Sequence, residues 1–122
     1  MNKNYLLQLK KDKKVMAIYQ FGSYGTKKYN PYLSDVDICI FTADTSPNSI
    51  LKLHSFGSEK VDISLFDHLP IYLKPEVFKG KPLFIRDSSF ISRKFAIAFR
   101  EYQDFKKYNE KYWKELKKRG AN

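Results

Sequence analysis

Two segments of the chain, DVDICIF at residues 35–41 and VDISLF at 61–66, alternate with a period of two. A β-strand sends successive side chains to opposite faces, so both segments are expected to be strands. In the first, Val36, Ile38 and Ile40 point one way, while Asp35, Asp37, Cys39 and Phe41 point the other. In the second, Val61, Ile63 and Leu65 oppose Asp62, Ser64 and Phe66. Each strand is thus expected to offer one core face and one face that carries acid. Carboxylates gathered on one face repel each other and are costly to bury unpaired, so the fold must give them a counter-charge.

The remaining segments supply the rest of a small domain. VMAIYQF at 15–21 is a compact apolar and aromatic run ending at Gly22, as expected for a strand buried on both faces. Before it, about residues 2–13, Tyr5, Leu6 and Leu9 recur at helical spacing among lysines, which predicts a short amphipathic helix covering one face of the sheet. A short helix is expected around Ser49 to Phe56, then a helix or turn near Pro75, then a strand at Leu83–Ile85. From about Ser88 onward, Ile91, Phe95, Ala98, Tyr102, Phe105, Tyr112 and Leu116 form one stripe of a long helix, a pattern that usually means core or partner interface. Glu110 with Lys114, and Glu115 with Arg119, are expected to add weak pairs four residues apart on the outer surface. The expected fold is α/β (α+β): a small mixed β-sheet with helices packed against it and a long C-terminal helix. With 122 residues, 43% of them hydrophobic, residues 1–122 are expected to be a single domain.

Composition narrows the partners. The formal net charge of +10 favours phosphate-bearing or acidic molecules. Cys39 is the only cysteine, which makes an intramolecular disulfide impossible and predicts a buried hydrophobe at that position. No apolar run approaches the roughly 20 residues that cross a bilayer, so no membrane partner is expected and a cytoplasmic location follows by default. His54 and His68 stand apart from any Cys or His cluster, and Asp44 and Asp67 at strand ends read as surface residues.

Asp35 and Asp37, one residue apart in a strand, project from the same face with Cα atoms about 6.6 Å apart. A third aspartate, Asp62, can join them if its strand is a neighbour, since paired strands lie about 4.8 Å apart. Three hard carboxylates suit Mg2+. Two such ions roughly 3.5–4 Å apart support in-line phosphoryl or nucleotidyl transfer. Gly22 and Ser23 follow the first strand, where backbone amides and a hydroxyl can hold triphosphate oxygens. Lys27 and Lys28, in the same connection, are candidates for neutralising phosphate charge.

The run GSYGTKKYNPYLSDVDICIF followed by KVDISLF resembles the signature of the polymerase-beta-like nucleotidyltransferase superfamily: Gly-Ser, a loop, Asp-x-Asp and a later strand aspartate. The resemblance covers about residues 15–66, and the short chain is similar to the minimal nucleotidyltransferases (MNT). It implies a palm-type sheet, Asp35 and Asp37 as paired metal ligands, and Asp62 as a third ligand that helps deprotonate an acceptor hydroxyl. It implies Gly22 and Ser23 at the triphosphate, Mg2+ (two ions) as cofactor and ATP as nucleoside triphosphate substrate. It also implies an antitoxin role, by nucleotidylating a tyrosine of a helical, HEPN-type toxin partner. The chain departs from many minimal members in carrying Gly25, Thr26 and Lys27 where they have Ala-Arg-Gly.

Two readings from other classes compete. The net charge and interspersed tyrosines also suit a nucleic-acid-binding module. The C-terminal aromatic helix also suits a non-catalytic protein that only docks to a partner.

Overall fold

The computed structural model describes residues 4–22 and 35–120. In chain order the elements are α1 (Asn4–Lys11), β1 (Val15–Phe21), β2 (Val36–Thr42), α2 (Pro47–His54), β3 (Val61–Leu65), a single 3-10 turn (Phe66–His68), α3 (Lys74–Phe78), β4 (Lys81–Ile85) and α4 (Ser88–Lys118). The four strands form one sheet in the order β3-β2-β1-β4. β1 runs antiparallel to both β2 and β4, whereas β2 and β3 are parallel, so the sheet is mixed. Parallel neighbours need a crossover, and α2 lies within the one that joins β2 to β3.

Both faces of the sheet are covered. On the first, Ile18, Ile38, Ile40 and Ile63 pack with Leu9 of α1 and Leu53 of α2. On the second, Tyr19, Cys39, Phe41 and Phe66 pack with Val77 of α3 and with Ile91 and Ala98 of α4. The acid-bearing face is therefore core along its C-terminal half as well, and Cys39 and Phe41 are the residues that make it so. A β-bulge between Val15 and Ala17 lets β1 serve both layers, because Val15 opposes Thr42 while Ala17 already opposes Phe41. The parity shift places Val15 beside Ile18 in the first layer and Ala17 beside Tyr19 in the second.

Phe95 of α4 ties the second layer together. Its ring lies 3.9 Å from Phe78, 5.6 Å from Phe41 and 5.7 Å from Tyr19, in edge-on geometries that suit aromatic quadrupoles. The start of α4 is capped by Asp87, whose carboxylate accepts from the Phe90 amide at 3.1 Å. Arg86, just before it, donates through Nε to the Val15 carbonyl at 2.9 Å and through Nη2 to the Lys10 carbonyl at 2.6 Å and the Asp12 carbonyl at 3.3 Å. One guanidinium thus joins the end of β4 to the α1–β1 turn.

Several element bounds differ from the sequence expectation. The first helix ends at Lys11 rather than about residue 13, and the expected start near residue 2 lies outside the described residues. The helix expected from Ser49 begins at Pro47, since a ring-locked φ suits the first helical turn, and ends at His54. The third strand stops at Leu65, and Phe66 opens the 3-10 turn yet stays buried. The last strand starts at Lys81, two residues early, with Pro82 tolerated because β4 is an edge strand.

Candidate active site

Register brings the candidate residues together. The C-terminal end of β1 meets the start of β2 through the pair Phe21 and Asp37, and the start of β3 meets β2 through the pair Asp37 and Asp62. Gly22, Asp37 and Asp62 consequently sit side by side at the same end of three adjacent strands. Direct partners on neighbouring strands point to the same face, so Asp37 and Asp62 share the face that holds Cys39 and Phe41 further along. Asp35 precedes β2 by one residue and is exposed, as is Asp62, whereas Asp37 is half-buried.

The carboxylates feel one another. The Asp37 carboxyl is raised above its ordinary value, first by burial, then by the charge of Asp62 and then by that of Asp35. Among the described residues, no three His, Cys, Asp or Glu side chains are gathered tightly enough to hold an ion as they stand. The donor set nevertheless fits a hard divalent cation: it is all carboxylate oxygen, and a cation would offset the Asp62 and Asp35 charges that add to burial in raising Asp37.

Gly22 is built into this arrangement by its backbone. Its φ is +83°, a left-handed conformation that glycine adopts without a Cβ penalty. A Cβ placed there would overlap Oδ2 of Asp37, so the absence of a side chain permits the approach of the β1 end to that carboxylate. Ser23 and Lys27, the other expected nucleotide contacts, and Gly25, Thr26 and Lys28 lie outside the described residues.

The strand-end acids Asp44 and Asp67 are at the opposite end of the sheet. Each is ion-paired rather than merely solvated: Asp44 lies 2.9 Å from Lys14, and Asp67 lies 2.9 Å from Lys94. The Lys14 ammonium and the Ser46 amide hold the Asp44 carboxyl well below its usual range. What sequence reasoning missed is the position of the long helix. Its stripe was visible, but no local signal says that α4 packs on the same face as Asp37 and Asp62.

A mixed sheet that aligns acids from two parallel strand starts beside a left-handed glycine is a frame suited to binding a divalent cation and a phosphate chain. Residues 5–89 match the family described as Polymerase beta, Nucleotidyltransferase. The chain is 32% identical over 94 residues to MJ1547 of Methanocaldococcus jannaschii, which carries the designation protein adenylyltransferase; the match covers 77% of this chain and 75% of that protein. Among solved structures, a chain of a toxin–antitoxin assembly determined with AMP-PNP superposes with a TM-score of 0.69 at 25% identity, over 95% of this chain and 98% of its own. The same fold occurs, with a TM-score of 0.65, 24% identity and 93% coverage of both chains, in a complex of a tri-AMPylated Shewanella oneidensis HEPN toxin with an MNT antitoxin. The chain belongs to the polymerase beta nucleotidyltransferase family and is a minimal member of it. No helix among the described residues is long and apolar enough to cross a membrane.

Proposed function

We propose that this nucleotidyltransferase moves AMP from ATP to a side-chain hydroxyl of a helical partner protein, a tyrosine of a HEPN-type toxin, and so acts as an antitoxin. The observation that carries the reading is the register pairing of Asp37 with Asp62 beside the left-handed Gly22. The designation of MJ1547 and the toxin–antitoxin assemblies with AMP-PNP and an AMPylated toxin support the donor and the acceptor.

In this reading Asp35, Asp37 and Asp62 hold Mg2+, and two bound ions would supply charge neutralisation at the transferring phosphate. The acceptor oxygen attacks the α-phosphorus, a new O–P bond forms, the bond from the α-phosphorus to the oxygen bridging to the β-phosphate breaks, and pyrophosphate leaves. Asp62, exposed at the start of β3, takes the hydroxyl proton and can release it to solvent. Gly22, with Ser23 and Lys27 beyond it, binds the triphosphate. A bound cation would offset the charges of Asp62 and Asp35 that, after burial, raise the Asp37 carboxyl.

The test uses the purified chain, Mg2+, ATP labelled at the α-phosphate and a purified HEPN-type toxin from the same genome. Label is expected on the partner with the native chain and not with Asp62→Asn. Silence of the native protein equal to that of the variant would overturn the reading.

A further inference from the structure

The sheet face that carries Asp37 and Asp62 is crossed by α3, whose path is fixed at both ends. Lys74, its first residue, holds its ammonium 5.2 Å from the centre of the Phe66 ring, just past the end of β3. Gly80, just after the helix, lies so close to β1 that an added Cβ would overlap the Gln20 carbonyl and crowd Phe21, the partner of Asp37. α3 therefore runs from the end of the sheet remote from the aspartates back toward the acid end. Lys94 of α4, by contrast, is tied to Asp67 at the remote end.

Register defines what lies beneath Lys74. Asp37 opposes Asp62 and, two residues along on the same face, Cys39 opposes Ser64. Next on that face come Phe41 and Phe66, whose rings stack at 4.4 Å. The Lys74 ammonium stands over this third row, and its charge reaches the second: the Cys39 thiol, raised by burial and then by the Asp67 charge, is lowered by that of Lys74. Ser64 is half-buried and about 6.6 Å along β3 from Asp62. Among the described residues its hydroxyl has no hydrogen-bond partner, and the half-buried Lys74 has no carboxylate partner.

An ammonium held partly out of water beside an unpartnered hydroxyl is suited to an anion. We infer that Lys74 and Ser64 bind the α-phosphate of the donor nucleotide, each donating to one of its non-bridging oxygens. This rests on the transfer reaction proposed above and specifies which phosphate the two residues hold. In that reaction the acceptor attacks the α-phosphorus beside Asp62, on β3, whereas Gly22 stands two strands away at the end of β1. Ser64 and Lys74 lie on the β3 side, one row behind Asp62, so the phosphate within their reach is the one transferred. The flexible four-carbon stem of lysine lets the ammonium pass from Phe66 to a position above Ser64.

The experiment measures, by titration calorimetry with Mg2+, the binding of ATP and of AMP, whose only phosphate is the α-phosphate. It compares the native chain with Lys74→Met, Lys74→Arg, Ser64→Ala and Lys79→Met, the last removing an equal charge from the exposed end of α3. Methionine keeps an apolar stem over Phe66, so a lysine that merely covered the ring would give no change. Lys74→Met is expected to weaken both nucleotides about tenfold or more with an unaltered melting midpoint, and Ser64→Ala about threefold or more. Lys74→Arg is expected to stay within about threefold of native and Lys79→Met within about twofold. Native affinity for AMP in Lys74→Met would overturn the contact; should that variant not fold, native affinity in Ser64→Ala would do so. A loss confined to ATP, a larger effect of Lys79→Met, or a native chain that binds no AMP would overturn it equally. Transfer of labelled AMP to the HEPN-type toxin is followed in parallel. A native chain that binds both nucleotides in the expected pattern but transfers no label loses the reaction and keeps the phosphate contact.

Discussion

Gly22→Ala separates the backbone requirement at the site from the chemistry. The substitution places a Cβ in a residue with φ +83° and drives that carbon into Oδ2 of Asp37. The left-handed conformation costs an ordinary residue about 1–2 kcal/mol. For a chain of this size that amounts to a fall in Tm of roughly 3–10 °C. The overlap cannot be relieved in place, so either the end of β1 or the Asp37 carboxylate moves by a good fraction of an ångström. Misplacement on the order of 1 Å at a reacting centre costs about a hundredfold in rate. Transfer of labelled AMP, followed as kcat/KM, is therefore expected to fall about 30- to 100-fold while far-ultraviolet circular dichroism stays native. Gly22→Asn sharpens the test, because asparagine tolerates left-handed backbone but still carries a Cβ. It is expected to show most of the rate loss with a smaller fall in Tm. Retention of native kcat/KM by both variants would refute the close approach of Gly22 to Asp37.

Three further outcomes follow from the geometry. Because burial and the charges of Asp62 and Asp35 raise the Asp37 carboxyl, its ionised form weighs against the fold; Asp37→Asn is expected to raise the urea midpoint at pH 7. The gain should fade as pH falls through the carboxylate range, where native Asp37 is itself neutral, and a gain that grew on acidification would contradict the cause assigned. Arg86→Lys keeps the charge but loses the fork that reaches three carbonyls, and is expected to lower stability by about 1–3 kcal/mol in urea unfolding. Phe95→Ala removes the ring on which Tyr19, Phe41, Phe66 and Phe78 converge, with an expected loss of about 3 kcal/mol by the same assay, the low end for phenylalanine because Phe95 is only partly buried.

The alternation of 35–41 and 61–66 was enough to place Asp35, Asp37 and Asp62 at strand starts, because a period of two leaves one backbone geometry that separates the aliphatic from the acidic positions. It was not enough to describe the acidic face. Cys39 and Phe41 stand on that face too, and their burial depends on α3 and α4, elements far away in sequence. The bulge in β1 was hidden for the same reason: VMAIYQF is apolar throughout, so no polar residue marks where the parity changes.

The sequence by itself determined the local elements, the acids on one side of two strands, and a glycine where the first strand must turn, since these follow from side-chain period and backbone sterics within a few residues. Only the tertiary structure decided that β2 and β3 are parallel neighbours with Asp37 opposite Asp62, that Gly22 abuts that carboxylate, and that α4 packs on the same face. Strand order and helix placement depend on how distant apolar surfaces fit together to exclude water, and that fit is a property of the packed chain rather than of any segment.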